Sequence, residues 1–127
     1  MLTQDMISGV QSLRPAVPAK DYAASQKFYE ILGFTPRPIG PQLTEMRLGQ
    51  FSFLLQDFYV PDYASNFVMH MLVDDVDRWW KHIESLGLEE AFAVQSPGAP
   101  KLQPWGLRVL SLFDPSSVLW QIASRPA

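Results

Sequence analysis

The chain repeats itself. Aligned on Asp21 and Asp75, the stretches DYAASQKFYEILG and DVDRWWKHIESLG also share Lys27 with Lys81, Glu30 with Glu84, Leu32 with Leu86 and Gly33 with Gly87. These five identities fall in register without a gap, which predicts a duplicated unit. Internal repetition constrains architecture more tightly than local propensity does, because each copy must adopt the same supersecondary structure.

Both copies read alike. An extended segment comes first, over 13–19 and over 67–73. In the second, Met69, Met71 and Val73 alternate with Val68, His70 and Leu72, the period of a strand. Asp21 and Asp75 then stand where a helix N-cap is wanted, since a carboxylate accepts from N–H groups that have no helical partner. Tyr22, Ser25, Tyr29 and Leu32 form one helical stripe; Val76, Trp79 or Trp80, Ile83 and Leu86 form its counterpart. Gly33 and Gly87 suit the left-handed residue that ends a helix.

Strands follow each helix. Leu43–Leu48 and Phe51–Gln56 flank a Gly49-Gln50 turn, and 107–113 and 118–123 flank Asp114-Pro115-Ser116-Ser117. Weaker strands are expected at 35–39 and 91–94, with Gln95–Pro104 as a loop. Pro15 and Pro18 lack an N–H, which confines the first strand to an edge or a bulge. The expected unit is β-α-β-β-β, written twice in an α+β fold. Module one spans about 12–57, a linker 58–66 and module two about 67–124, in one domain covering 1–127.

Composition sets outer limits. A chain of 127 residues buries roughly two-thirds of its unfolded surface, enough for a core without staples. There is no cysteine, so disulfides, thiolate ligands and a cysteine nucleophile are excluded; a cytoplasmic protein fits. A net charge of −3 without a basic run argues against nucleic acid. The start, MLTQDMISGV, has neither the positive region nor the apolar core of a secretory signal. No apolar run approaches the ~20 residues of a membrane span.

Three ordered stretches carry a resemblance: VPAKDYAASQKFYEILGF, VDDVDRWWKHIESLG and QPWGLRVLSLFDPSSVLWQIA. Together they resemble the glyoxalase, bleomycin-resistance and extradiol-dioxygenase superfamily, the vicinal oxygen chelate fold. In the last stretch Trp105, Gly106, Arg108, Asp114 and Pro115 match the family pattern, whereas Ser117 and Val118 replace its usual Gly-Asn. The resemblance implies two tandem βαβββ modules forming a curved mixed-sheet cup with helices outside. It also implies a homodimer in which the partner chain completes the cup.

Metal-using members of that family place His or Glu at four inward positions, because a divalent ion needs several converging lone pairs. By the resemblance these map to Arg14, Leu54, Val68 and Gln121. A guanidinium offers no lone pair, nor do leucine and valine; only the Gln121 amide oxygen does. The expectation is therefore no metal and no cofactor, closest to the metal-free, bleomycin-resistance-like branch.

Other candidates keep two readings each. Arg14 is either paired structurally, with Glu45 as the candidate partner, or a fork for a carboxylate or phosphate. His70 is either a hydrogen-bonded strand residue or an acid–base group. Trp105 anchors its loop or walls a planar ligand. His82, on a helix, is expected at solvent or against a sheet. The leading functional reading is a small-molecule binding protein that sequesters a drug-like or aromatic ligand through Arg14, Leu54, Val68, His70, Trp105 and Gln121. The alternative is a lyase, isomerase or dioxygenase of the same superfamily, more readily metal-independent than metal-dependent, with His70 as base. Catalytic residues are left unassigned.

Overall fold

The computed structural model describes residues 1–126. A short exposed helix, α1 (Gln4–Ser8), precedes the first repeat and buries none of its residues. The first repeat is β1 (Ala16–Pro18), α2 (Tyr22–Leu32), β2 (Thr35–Gly40), β3 (Leu43–Leu48) and β4 (Phe51–Gln56). A short helix, α3 (Pro61–Ser65), crosses the linker. The second repeat is β5 (Val68–Leu72), α4 (Val76–Leu86), α5 (Leu88–Phe92), β6 (Gly98–Leu102), β7 (Arg108–Phe113) and β8 (Leu119–Ser124).

The duplication is exact at the level of topology. Each repeat makes a four-stranded sheet, ordered β1-β4-β3-β2 and β5-β8-β7-β6. In both, the first strand pairs in parallel with the last and the remaining pairs are antiparallel. This is the expected α+β class with mixed sheets. The proline-bearing β1 has three residues and lies at a sheet edge, where a missing N–H removes no ladder bond.

The repeated caps explain the repeated helices. The Asp21 carboxylate accepts from the Ala24 N–H at 3.0 Å. Asp75 accepts from the N–H groups of Asp77 and Arg78 at 3.1 and 3.2 Å. Gly33 and Gly87 end the two helices at φ 131° and 61°, a region that costs residues with a Cβ.

The second repeat departs from expectation in one place. Residues 91–94 are not a strand: Ala91 and Phe92 close α5, where Leu88 is buried and Phe92 packs edge-on against Phe28. The strand instead forms at Gly98–Leu102, within the stretch read as a loop. Pro100 sits in β6 because β6 is an edge strand, and its register with β7 shifts between Gly98 and Lys101. Gly98 lets the strands approach closely: a Cβ there would lie 2.5 Å from Ser111 Oγ and would turn that hydroxyl to another rotamer.

The two sheets share a core. Along β4 and β8, Phe53 and Trp120 point inward, with ring centroids 5.4 Å apart. Phe34 and Tyr29 complete the aromatic cluster at 4.9–5.7 Å from these rings. Inside it lies a polar node. Tyr29 Oη donates to Asp114 Oδ2 at 2.6 Å and accepts from Trp120 Nε1 at 2.9 Å. Asp114 Oδ1 accepts from the N–H groups of Ser116 and Val118 at 2.8 and 3.0 Å. Burial, followed by the nearby Asp114 charge, pushes the Tyr29 hydroxyl well above its ordinary value, so it stays a donor. One helix of the first repeat is thereby tied to the last hairpin of the second.

That hairpin turns through a left-handed residue that is not a glycine. Ser117 sits at φ 70°. The Asp114 hydrogen bonds hold it there against the cost of a Cβ in left-handed backbone. Ser117→Gly is expected to raise unfolding stability by about 0.5–1 kcal/mol, read from urea melts. Tyr29→Phe leaves Asp114 Oδ2 and the indole N–H unpaired in the core. It is expected to lower stability by about 1–3 kcal/mol in the same assay.

Candidate functional site

Strand alternation separates folding residues from presented residues. On β4, Phe53 and Leu55 face the core, so Ser52, Leu54 and Gln56 face the other way. The register then lines up Ala16, Leu54, Glu45 and Arg37 as one rung across the first sheet's open face. Arg47 lies two residues beyond Glu45 on the same face, and Arg14 reaches in from the approach to β1.

Three arginines therefore converge on one carboxylate. Arg14 Nη1 donates to Glu45 Oε2 at 2.6 Å. Arg37 donates through Nε and Nη2 at 3.2 and 3.3 Å, and Arg47 through Nε and Nη2 at 3.3 and 3.4 Å. The Glu45 side chain is only 3% exposed, whereas those of Arg37 and Arg47 are 69% and 46% exposed. Hydrogen bonds from Arg37 and then Arg47 hold the Glu45 carboxyl down to about 2. Arg14 is thus the structural ion pair that the sequence allowed, with two further cations that the sequence reading did not connect to it.

The equivalent rung of the second sheet is His70, Gln121, Ser111 and Gly98. Val68, two residues before His70, shares its outward face and is exposed. A cavity of about 270 Å³ opens on this sheet, lined by Gln121, Ser111, Gln103, Lys101 and Trp105 among others. Trp105 is 61% exposed and lines this cavity. Lys101 was missed in the sequence because the strand at 98–102 was missed; Ser111, in an expected strand, was missed because its place beside Gln121 depends on register.

The six candidates thus fall into two groups. Arg14 and Leu54 belong to the first sheet; Val68, His70, Trp105 and Gln121 belong to the second. Phe53 and Trp120 bring the sheets together through their core faces, so Leu54 and Gln121, one residue on, point to the two outsides. One chain does not assemble both groups. A third feature was not anticipated: a cleft of about 380 Å³ between the sheet margins, walled by Phe34, Phe51, Phe53, Met69, Met71 and Trp120, with His70 also lining it. Its signal in the sequence was the Met69/Met71 alternation, which was assigned only to a strand face. His82 is occupied elsewhere: its Nε2 lies 2.8 Å from the Leu32 carbonyl oxygen, joining α4 to the end of α2.

The residues present do not fit a divalent metal. Arg14 is a donor engaged with Glu45, the one carboxylate on that rung is enclosed by guanidinium groups, and Leu54 and Val68 are hydrocarbon. Among the described residues no three His, Asp or Glu side chains converge on a point.

The Glu45 cluster gives acid stability a definite sign. A carboxyl whose value falls on folding adds stability above its unfolded value of about 4.5, and that stability is lost as pH drops towards about 2. Asp114 acts in the opposite sense, because burial raises its carboxyl. Glu45→Gln is therefore expected to flatten the loss of stability between pH 4.5 and about 2 relative to the parent, measured by thermal melts across that window.

The chain matches the family model described as the Glyoxalase/Bleomycin resistance protein/Dioxygenase superfamily over residues 11–122. A bleomycin resistance protein of Klebsiella pneumoniae is 30% identical over 114 residues, covering 85% of this chain and 87% of that protein. The crystal structure of a bleomycin-binding protein complexed with bleomycin superposes with a TM-score of 0.77 at 24% identity, over 92% of this chain and all of that one. A bleomycin resistance determinant encoded on transposon Tn5 gives 0.76 at 23% identity, over 93% and 100%. The chain belongs to the glyoxalase/bleomycin resistance protein/dioxygenase superfamily.

Proposed function

We propose that this protein is a metal-free small-molecule-binding protein that sequesters a drug-like or aromatic ligand. The observation that carries the reading is the make-up of the two open faces. Where metal-using relatives need electron-pair donors, this chain holds Arg14, Leu54, Val68 and Gln121, with Arg14 committed to Glu45. What the faces offer instead is an exposed indole, an amide, a hydroxyl and hydrocarbon, the mixture typical of binding pockets. The similarity to bleomycin-binding and bleomycin resistance proteins supports this reading.

The same reading makes the binding unit a homodimer. Each chain carries two unlike half-sites on outward faces, and a second copy supplies the missing half to each. Exposed Val68, Leu72, Leu102 and Trp105 on the second sheet's side and exposed Leu13 before β1 are the surfaces such a contact covers. No helix is long and apolar enough to cross a membrane among the described residues.

Calorimetric titration with bleomycin and with a panel of aromatic drug-like compounds tests the reading. Binding with one ligand per chain, no product formed and no stoichiometric uptake of Zn, Ni, Mn or Fe is the expected result. Turnover, or a bound divalent ion retained through gel filtration, overturns it. Trp105→Ala is expected to weaken ligand binding about two- to tenfold, the value of one aromatic stack. Phe51→Ala, in the cleft between the sheets, is expected to change affinity less than twofold. The reverse ranking would move the site into that cleft.

A further inference from the structure

We propose that the first sheet's open face is an oxyanion subsite, so that the bound ligand carries a carboxylate, sulfonate or phosphate. This rests on the small-molecule-binding reading and names the ligand's chemical class. The protein as a whole is acidic, with a net charge of −3 and ten Lys and Arg residues. Three of those ten nonetheless gather on Glu45. The strand residues facing this side, from Thr35 and Leu43 to Ser52 and Gln56, include no other acid.

A single guanidinium suffices to neutralise a carboxylate. Arg14, at 2.6 Å and the least exposed of the three, already does so. Arg37 and Arg47 therefore leave the face with two positive charges in excess. Glu45 oxygens take five N–H bonds, which fills their acceptor capacity. One more guanidinium N–H, Nη1 of Arg47, lies 3.5 Å from the Gly49 carbonyl oxygen. The remaining N–H donors of Arg37 and Arg47 have no protein acceptor among the described residues, and both side chains open to solvent. Glu45 thus acts as a clamp that fixes two forks in place, removing much of the rotamer entropy that ligand binding would otherwise cost. Fixed forks with free donors match the planar oxygens of an oxyanion. A cationic ligand would meet like charge at the same wall.

A matched pair of fluorescent probes tests this. 1-Anilinonaphthalene-8-sulfonate and N-phenyl-1-naphthylamine share one aromatic skeleton and differ in the sulfonate. The expected result is tighter binding of the sulfonate by about tenfold or more, a preference that shrinks as NaCl is raised. The double variant Arg37→Gln/Arg47→Gln changes two exposed side chains and leaves the Arg14–Glu45 pair; it is expected to abolish the preference while still binding the neutral probe. Equal binding of both probes, or a preference that survives the double variant, overturns the oxyanion subsite while leaving the binding reading intact. Failure of the folded parent to bind either probe overturns both.

Discussion

A phenol hydroxyl holds the two halves of this molecule together. Tyr29 comes from the first repeat, yet its Oη sits between the Asp114 carboxylate and the Trp120 indole of the second. Every group at the node is satisfied, which is what makes a buried polar cluster tolerable in an aromatic core. The geometry also fixes how the repeats meet. Tyr29, Phe53, Phe34 and Trp120 must lie together, so the two sheets turn these faces towards each other and their remaining faces outward. The placement of the candidate groups on the outward faces is a consequence of that choice.

Within each sheet the make-up of the open face follows from register. A rung that pairs Ala16, Leu54, Glu45 and Arg37 becomes His70, Gln121, Ser111 and Gly98 in the second copy. The duplicated scaffold has kept its hydrogen-bond ladder and diverged completely along this line. One copy has become an electrostatic cluster, the other an amide and hydroxyl surface beside an exposed indole. Neither resembles a metal site, for different reasons: the first spends its carboxylate on guanidinium groups, and the second lacks enough donors.

Much of this was legible in the sequence. The repeat gave the topology, the caps at Asp21 and Asp75, the terminating glycines and the hairpin Leu43–Gln56. The pairing of Arg14 with Glu45 was visible as a candidate, although Arg14 precedes β1 and β4 lies between β1 and β3. Its enlargement by Arg37 was not, since that depends on the cross-strand partner of Glu45, and register is not written in one strand alone; Arg47, two residues on in the same strand, shares the face of Glu45 by strand alternation and went unconnected. The strand at Gly98–Leu102 was hidden by Pro97, Gly98 and Pro100, which read as loop punctuation but are admissible at a sheet edge and beside Ser111. Ser117 and Val118, read only as a departure from the family's Gly-Asn, form a turn with Ser117 at positive φ whose neighbours are hydrogen-bonded to the Asp114 carboxylate.

The alternation of strand faces has an evolutionary corollary. Leu54 and Leu55, or Gln121 and Ile122, are adjacent in the gene but address different selective pressures, one towards what is recognised and the other towards what keeps the chain compact. Odd and even codons of β4 and β8 can therefore drift at separate rates. Such a lineage can acquire a new preference by replacing every second residue of a strand while its interior stays unaltered.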